Sequence, residues 1–190
     1  MELASAHAFS RNPAMVWGWY EWRRMKVMQA QPNPAHRALA RLAERKPEMI
    51  LITQNVDDLH ERAGSDRVIH LHGSLQQPRC FACARQPATA LATPNEPEEG
   101  RAVEPPRCQH CGGLLRPGVV WFGESLPQSA LASAFKAAQE AELLMVVGTS
   151  GVVYPAAELP AIARRAGAKI LHINPQLELE AGDLGIEGLS

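Results

Sequence analysis

No run of apolar residues in this chain approaches the ~18 needed to cross a bilayer as a helix, so no membrane partner is expected. The start, Met1-Glu2-Leu3-Ala4-Ser5, has neither the basic region nor the apolar core of a signal peptide. The expected compartment is therefore the cytoplasm, or an organelle matrix should a targeting segment precede residue 1. Charge imbalance is absent too: 19 Lys and Arg against 20 Asp and Glu leave a net charge of -1, with no block of one sign. Such a surface offers no electrostatic footprint for nucleic acid. Cysteine is scarce, with four residues in two close pairs, and in a reducing compartment close pairs hold metal more readily than they form disulfides. What remains is an ordinary globular composition, 46% apolar and 21% charged in 190 residues, enough for one full core and a small subdomain.

Asn12-Pro13 and Asn33-Pro34 each join a capping side chain to a proline suited to the first helical position. They predict helices running to about Met28 and Arg45. The first is crowded with Val16, Trp17, Trp19, Tyr20 and Trp22, which cannot all face one core, so some should line a cleft or meet another lobe. From Met49 onward short apolar runs at 49–54, 68–71, 119–122, 143–147 and 169–173 alternate with helical stretches. That rhythm predicts a doubly wound, Rossmann-like parallel sheet, with Gly64 and Gly167 at left-handed helix ends and Pro155 opening the last long helix. Between about Gln76 and Gly118 the rhythm breaks, and 85–107 holds five prolines. This stretch reads as an inserted module rather than sheet. The expected division is 1–33 as the helical part of a small domain, 34–75 and 119–190 as two parts of the Rossmann domain, and 76–118 as the insert.

Residues 53–74, TQNVDDLHERAGSDRVIHLHGS, place Asn, Asp and His at the ends of two successive apolar strands, where open α/β sheets bind ligands. An imidazole there can take a proton near neutral pH. His72 is the candidate, and His70, two residues earlier, is expected to point the other way. Cys80-x-x-Cys83 and Cys108-x-x-Cys111 use every cysteine and stand 24 residues apart, a pattern that favours one tetrahedral zinc over a redox pair or disulfides. His110 lies inside the second pair but four thiolates already fill the coordination. A closed four-sulfur site is structural and cannot activate water.

TQNVDDLH, HLHG, the two Cys-x-x-Cys pairs, GVVWFGE, VVGTS and HINP, in that order, closely resemble the sirtuins, the NAD-dependent protein deacylases. The resemblance covers nearly the whole chain. It implies that Gln54, Asn55, Val56 and Asp57 meet the nicotinamide-ribose side of NAD, and that His72 acts as general base with Asn55 and Asp57 in the catalytic group. Gly148, Thr149, Ser150, Asn174 and Pro175 would meet the adenosine half. In the family's chemistry the acyl oxygen of a modified lysine attacks the ribose carbon, nicotinamide leaves, and the base then activates a ribose hydroxyl, giving acyl-ADP-ribose and free lysine. Val120, Trp121, Phe122, Gly123 and Glu124 resemble the segment that pairs with the substrate peptide as an added strand. Tyr20 and Arg23 match the Tyr-x-x-Arg pair of the branch that removes malonyl, succinyl and glutaryl groups. Three apart on a helix, they share a face, and a guanidinium beside a phenol suits an acyl chain ending in a carboxylate.

The resemblance thus implies an enzyme acting on acylated lysine peptides, with NAD as co-substrate and one structural zinc, and a monomer is expected. Two other readings use the same residues: a non-catalytic module that binds acylated peptides, and a protein mono-ADP-ribosyltransferase. The sequence departs from the family pattern at its start, with no Gly-Ala-Gly-x-Ser loop, no strand before it, and no Pro-x-Phe-Arg segment. After Leu177 it stops short of the usual last helix. The expectation is an N-terminally truncated sirtuin, lacking the first strand of its sheet and the glycine-rich loop that receives pyrophosphate.

Overall fold

The computed structural model describes residues 3–176 and 179–187; Leu177 and the first two residues, named above, lie outside them. The chain divides into two compact units, 1–127 and 128–190. Both helix starts read from asparagine-proline pairs are present. Asn12 accepts a hydrogen bond from the Met15 amide at 3.1 Å and opens α2, Pro13–Gln29; Asn33 accepts from the His36 amide at 3.0 Å and opens α3, Pro34–Arg45. A short α1, Ala6–Arg11, precedes them, its start capped by Ser5.

The aromatic residues of α2 divide around the helix. Val16, Trp17 and Tyr20 enter a core with Phe9, Leu75, Leu115, Val119 and Trp121, while Trp19 packs at its margin. A polypeptide strap crosses the same helix at Gly18, where the Val103 amide donates to Ala14 O at 2.9 Å. A Cβ on Gly18 would lie 1.9 Å from Arg101 O. Because backbone cannot retreat as a flexible side chain can, Gly18→Ala should cost roughly 1–3 kcal/mol. Thermal melting of the variant tests this, and an unchanged midpoint would show that the strap yields freely.

The parallel sheet of the first unit is β1, Leu51–Thr53, beside β2, Val68–His70. Between them α4, Leu59–Arg62, forms a single turn, ended by Gly64 at φ +106°. In the second unit β5, Leu143–Val147, β6, Lys169–Asn174, and β7, Leu184–Glu187, run parallel in that order. α5, Gln128–Glu140, and α6, Leu159–Arg165, accompany them. Asp183, 3% exposed at its side chain, fastens this unit by accepting from Arg164 of α6 at 2.7 Å and His172 of β6 at 2.9 Å. Gly167 turns at φ +98° as expected. The stretch after Pro155 is shorter than the predicted long helix: a 3-10 turn, Ala156–Glu158, leads into the seven-residue α6, with Pro160 in its first turn.

The insert is where the sequence reading needs correction. β3, Gly73–Cys80, pairs antiparallel with β4, Leu115–Val119, so the module contains sheet. The apolar run 119–122 does not form a strand of the parallel sheet: its first residue ends β4 and the rest enters a turn. Pro78, Pro117 and Gly118 mask the strand signal, and the pairing tolerates them through a register shift between Ser74 and Arg79. No helix among the described residues is long and apolar enough to cross a membrane.

Candidate active site

The parallel pairing of β1 and β2 brings the segments that follow them side by side. Leu71 N extends the ladder to Thr53 O at 3.0 Å. Buried Thr53 turns the chain outward, its hydroxyl accepting from the Asn55 amide at 3.0 Å, and Asp57 accepts from the Leu59 amide at 3.1 Å to start α4. Leu75 N donates to Val56 O at 2.8 Å. Gln54, Asn55, Val56, Asp57 and His72 are therefore gathered by backbone bonds at the carboxyl end of this sheet.

His72 Nδ1 lies 3.0 Å from Gln54 O. A carbonyl only accepts, so Nδ1 carries the hydrogen and in the neutral ring the lone pair is on Nε2. That is the tautomer a general base needs. His70 does not point away from it, because residues two apart on a strand share a face. β2 ends at His70 and a turn follows, so both rings reach the backbone after β1: His70 Nδ1 lies 3.2 Å from Asn55 O and its Nε2 2.6 Å from Glu61. Both His70 nitrogens are engaged by these partners, so neither is open to a substrate hydroxyl.

On the peptide side, Val120 N donates to His72 O at 2.8 Å and Phe122 N to Ala4 O at 3.2 Å. Glu124 turns inward. Its carboxylate pairs with both terminal nitrogens of Arg116, the Nη2 contact at 3.0 Å, and accepts from the Trp121 amide at 2.9 Å. Burial alone would raise that carboxyl's pKa, but these bonds outweigh it and hold Glu124 below the usual range. Its carboxylate thus shapes the turn, and Phe122 within it is left 74% exposed. Arg116, which also stacks 3.4 Å over the Trp121 ring, is the functional neighbour that the sequence does not reveal: a cation between proline and leucine looks like a surface residue, yet it is 3% exposed.

Tyr20 and Arg23 do share a face of α2. Arg23 sits 4.9 Å over the Trp19 ring and 5.9 Å over the Tyr20 ring, and among the described residues it has no carboxylate partner. Tyr20 is more enclosed than the pairing implies, 4% exposed, with Trp121 Nε1 donating to its hydroxyl at 3.0 Å. Burial raises its pKa, so the phenol keeps its proton and can still donate one hydrogen bond.

In the second unit the ends of β5 and β6 meet. Gly148 N donates to Ile173 O at 3.1 Å, Asn174 Nδ2 donates to Thr149 O at 3.3 Å, and Gly148, Ser150 and Pro175 are exposed. This gathers the residues expected at the adenosine half within that unit.

The sulfurs of Cys80, Cys83, Cys108 and Cys111 all lie within 4.8 Å of one another. The Cys83 amide pointing at Cys80 lowers that thiol's pKa to about 7. Although the Gly113 amide favours the Cys111 thiolate, the neighbouring sulfurs push its pKa up to about 12. Four thiols that cannot all lose protons beside one another are a donor set suited to a soft cation, and the residues fit a tetrahedral zinc.

Residues 1–155 match the Sir2 family. The chain is a member of that family. It is 62% identical over 174 residues to NAD-dependent protein deacylase 1 of Pseudomonas aeruginosa, covering 92% of this chain and 70% of that one. It is 56% identical over 173 residues to the NAD-dependent protein deacylase of Methylococcus capsulatus, covering 91% and 68%. Among solved structures, a Sir2 homologue in complex with NAD superposes with a TM-score of 0.83 at 49% identity, covering 92% of this chain and 65% of that one. Sir2 bound to acetylated peptide superposes with a TM-score of 0.79 at 35% identity, covering 92% and 71%. The Sir2 relationship accounts for the gathering of Gln54, Asn55, Asp57 and His72 at one sheet end. His60 and His36, whose ring centroids lie 4.6 Å apart beside that loop, were not singled out in the sequence reading, since a lone histidine on a helix gives no sequence signal of a partner.

Proposed function

We propose that this Sir2 chain removes acyl groups from protein lysines with NAD as co-substrate, with succinyl and malonyl groups preferred to acetyl. The observation that carries the reading is the His72 ring, held through Nδ1 at Gln54 O so that the neutral ring keeps its lone pair on Nε2, at the sheet end that also carries Asn55 and Asp57. NAD supplies the nicotinamide-ribose bond whose cleavage drives the transfer. The chain's part is to present the 120–124 backbone to the peptide, to hold the ribose side at Gln54, Asn55, Val56 and Asp57, and to take a ribose hydroxyl proton at His72 Nε2. Gly148, Thr149, Ser150, Asn174 and Pro175 receive the adenosine half. The names of the relatives support this activity, and so do the NAD and acetylated-peptide complexes of the family. The setting is a reducing cytoplasm, where four thiols stay available to a metal, and the working form is a monomer.

Arg23 supports the acyl preference, since a guanidinium resting on two aromatic rings without a carboxylate of its own is poised for one from a ligand. Arg23→Met should lower kcat/KM on a succinyl-lysine peptide roughly 10- to 100-fold, the worth of one or two charge-assisted hydrogen bonds. Deacetylation should hardly change, and equal losses on both peptides would sink the preference. Mass spectrometry of a succinyl-lysine peptide incubated with NAD tests the reaction itself. Free lysine peptide, nicotinamide and O-succinyl-ADP-ribose are expected. Peptide binding without nicotinamide release would mark a binding module, and ADP-ribose retained on protein would mark a mono-ADP-ribosyltransferase.

A further inference from the structure

We propose that Arg62 is a positioning residue that ties the helix carrying Tyr20 and Arg23 to the loop carrying Asn55 and Asp57, so that engagement of the acyl chain is transmitted to the NAD side of the site. The transmission rests on the function proposed above, whereas the tie itself does not.

The loop runs into α4, a helix of four residues, far too short to hold itself by backbone bonds alone. Three consecutive side chains anchor it to three different elements. His60 packs its ring against His36 of α3, centroids 4.6 Å apart and planes tilted by 52°, and Glu61 meets His70 of β2 at 2.6 Å. Arg62 reaches the end of α2, donating through Nη1 to Val27 O at 3.0 Å and through Nη2 to Ala30 O at 2.5 Å.

The last turn of α2 leaves carbonyls with spare accepting capacity, Val27 O taking a 3.2 Å bond from the Ala30 amide, and carries the negative end of the helix dipole. A cation is wanted there, but Lys26, the basic residue of that turn, is drawn away to Glu98 at 2.5 Å. Arg62 fills the place from another element, and its forked donors span two carbonyls where a lysine could satisfy one. The same guanidinium lies 3.7 Å from Asp58. Asp58 Oδ1 is buried without a hydrogen bond, so Arg62 is the charge that faces it, next in sequence to Asp57. A pull on Arg23 by an acyl carboxylate acts on the helix whose far end Arg62 holds. A shift of that end is passed through Arg62 to Asp58 and the start of α4.

Hydrogen–deuterium exchange on the whole chain tests the tie without requiring activity. Arg62→Met should speed exchange roughly tenfold, the worth of one hydrogen bond to a charged group, both in the last turn of α2 and at residues 57–62, leaving β3 and β4 as in wild type. Arg62→Lys, which keeps the charge and loses the fork, should fall between. Faster exchange in only one of the two segments, or a uniform rise across the first unit, would overturn the tie. For the transmission, the NAD affinity measured with a saturating succinyl-lysine peptide, relative to an unmodified peptide, should rise in wild type and lose most of that rise in Arg62→Met. An equal rise in both proteins would overturn it. Should wild type take neither NAD nor peptide, the proposed function and the transmission fail together, while the exchange result still decides the tie.

Discussion

Replacing His72 by asparagine is expected to lower kcat for deacylation roughly a hundred- to ten-thousandfold, the usual contribution of a positioned general base. Asparagine is the informative substitution because its amide can still donate to Gln54 O as Nδ1 does now, so the turn that follows β2 keeps its shape. What disappears is the Nε2 lone pair. KM for the acylated peptide should move little, since 120–124 and Arg23 remain in place, and the melting midpoint should stay near that of wild type. His70→Asn supplies the contrast. That ring gives both nitrogens to acceptors, Asn55 O and Glu61, so its loss should loosen the loop without removing a base and cost far less in kcat. Initial rates for the two variants decide the assignment. If His70→Asn proved the more damaging, or if His72→Asn lost its fold along with its rate, the base would have to be sought elsewhere.

The difference between those histidines also marks how far the sequence could be read. Features set by neighbouring residues were legible: the Asn12 and Asn33 caps, the β5 run 143–147 and the paired cysteines each depend on side chains a few positions apart. The expected parting of His70 from His72 was an error of period, since residues two apart on a strand share a face, and what each ring then bonds, Asn55 O and Glu61 for one and Gln54 O for the other, is set by the pairing with β1. The β3–β4 hairpin was hidden for a related reason. Its strands carry Pro78, Pro117 and the buried Arg116, which local propensity counts against sheet. Their compensation comes from afar, from Glu124, from the shifted register and from the cysteines at the hairpin's end. The site followed the same division. Which residues would gather at the strand ends was readable, but the inward turn of Glu124 and the burial of Tyr20 against Trp121 are products of tertiary packing.

Removing the metal should produce the largest loss of stability in this chain. Structural zinc in small modules is worth roughly 10–16 kcal/mol of apparent binding, against roughly 5–15 kcal/mol for a whole domain, so the module should not survive without it. The damage should not stop at the module. Cys80 and Cys108 belong to the same buried cluster as Phe9, Trp17, Tyr20 and Trp121, and Phe81, one residue beyond Cys80, packs 5.1 Å from Phe9. Losing the knuckles therefore opens the core beneath the 120–124 turn and α2 together. Cys108→Ser, or chelation of the wild-type chain, should lower the melting midpoint by more than about 10 °C, since a chain of this size shifts by roughly 2–4 °C for each kcal/mol. Tryptophan emission should move to the red in step as Trp17 and Trp121 meet water. Elemental analysis should find one zinc per chain, and none after Cys108→Ser. A zinc-free chain that kept its melting midpoint and its tryptophan spectrum would show that the four sulfurs do not hold this core, and that the α2–Trp121 packing stands on its own.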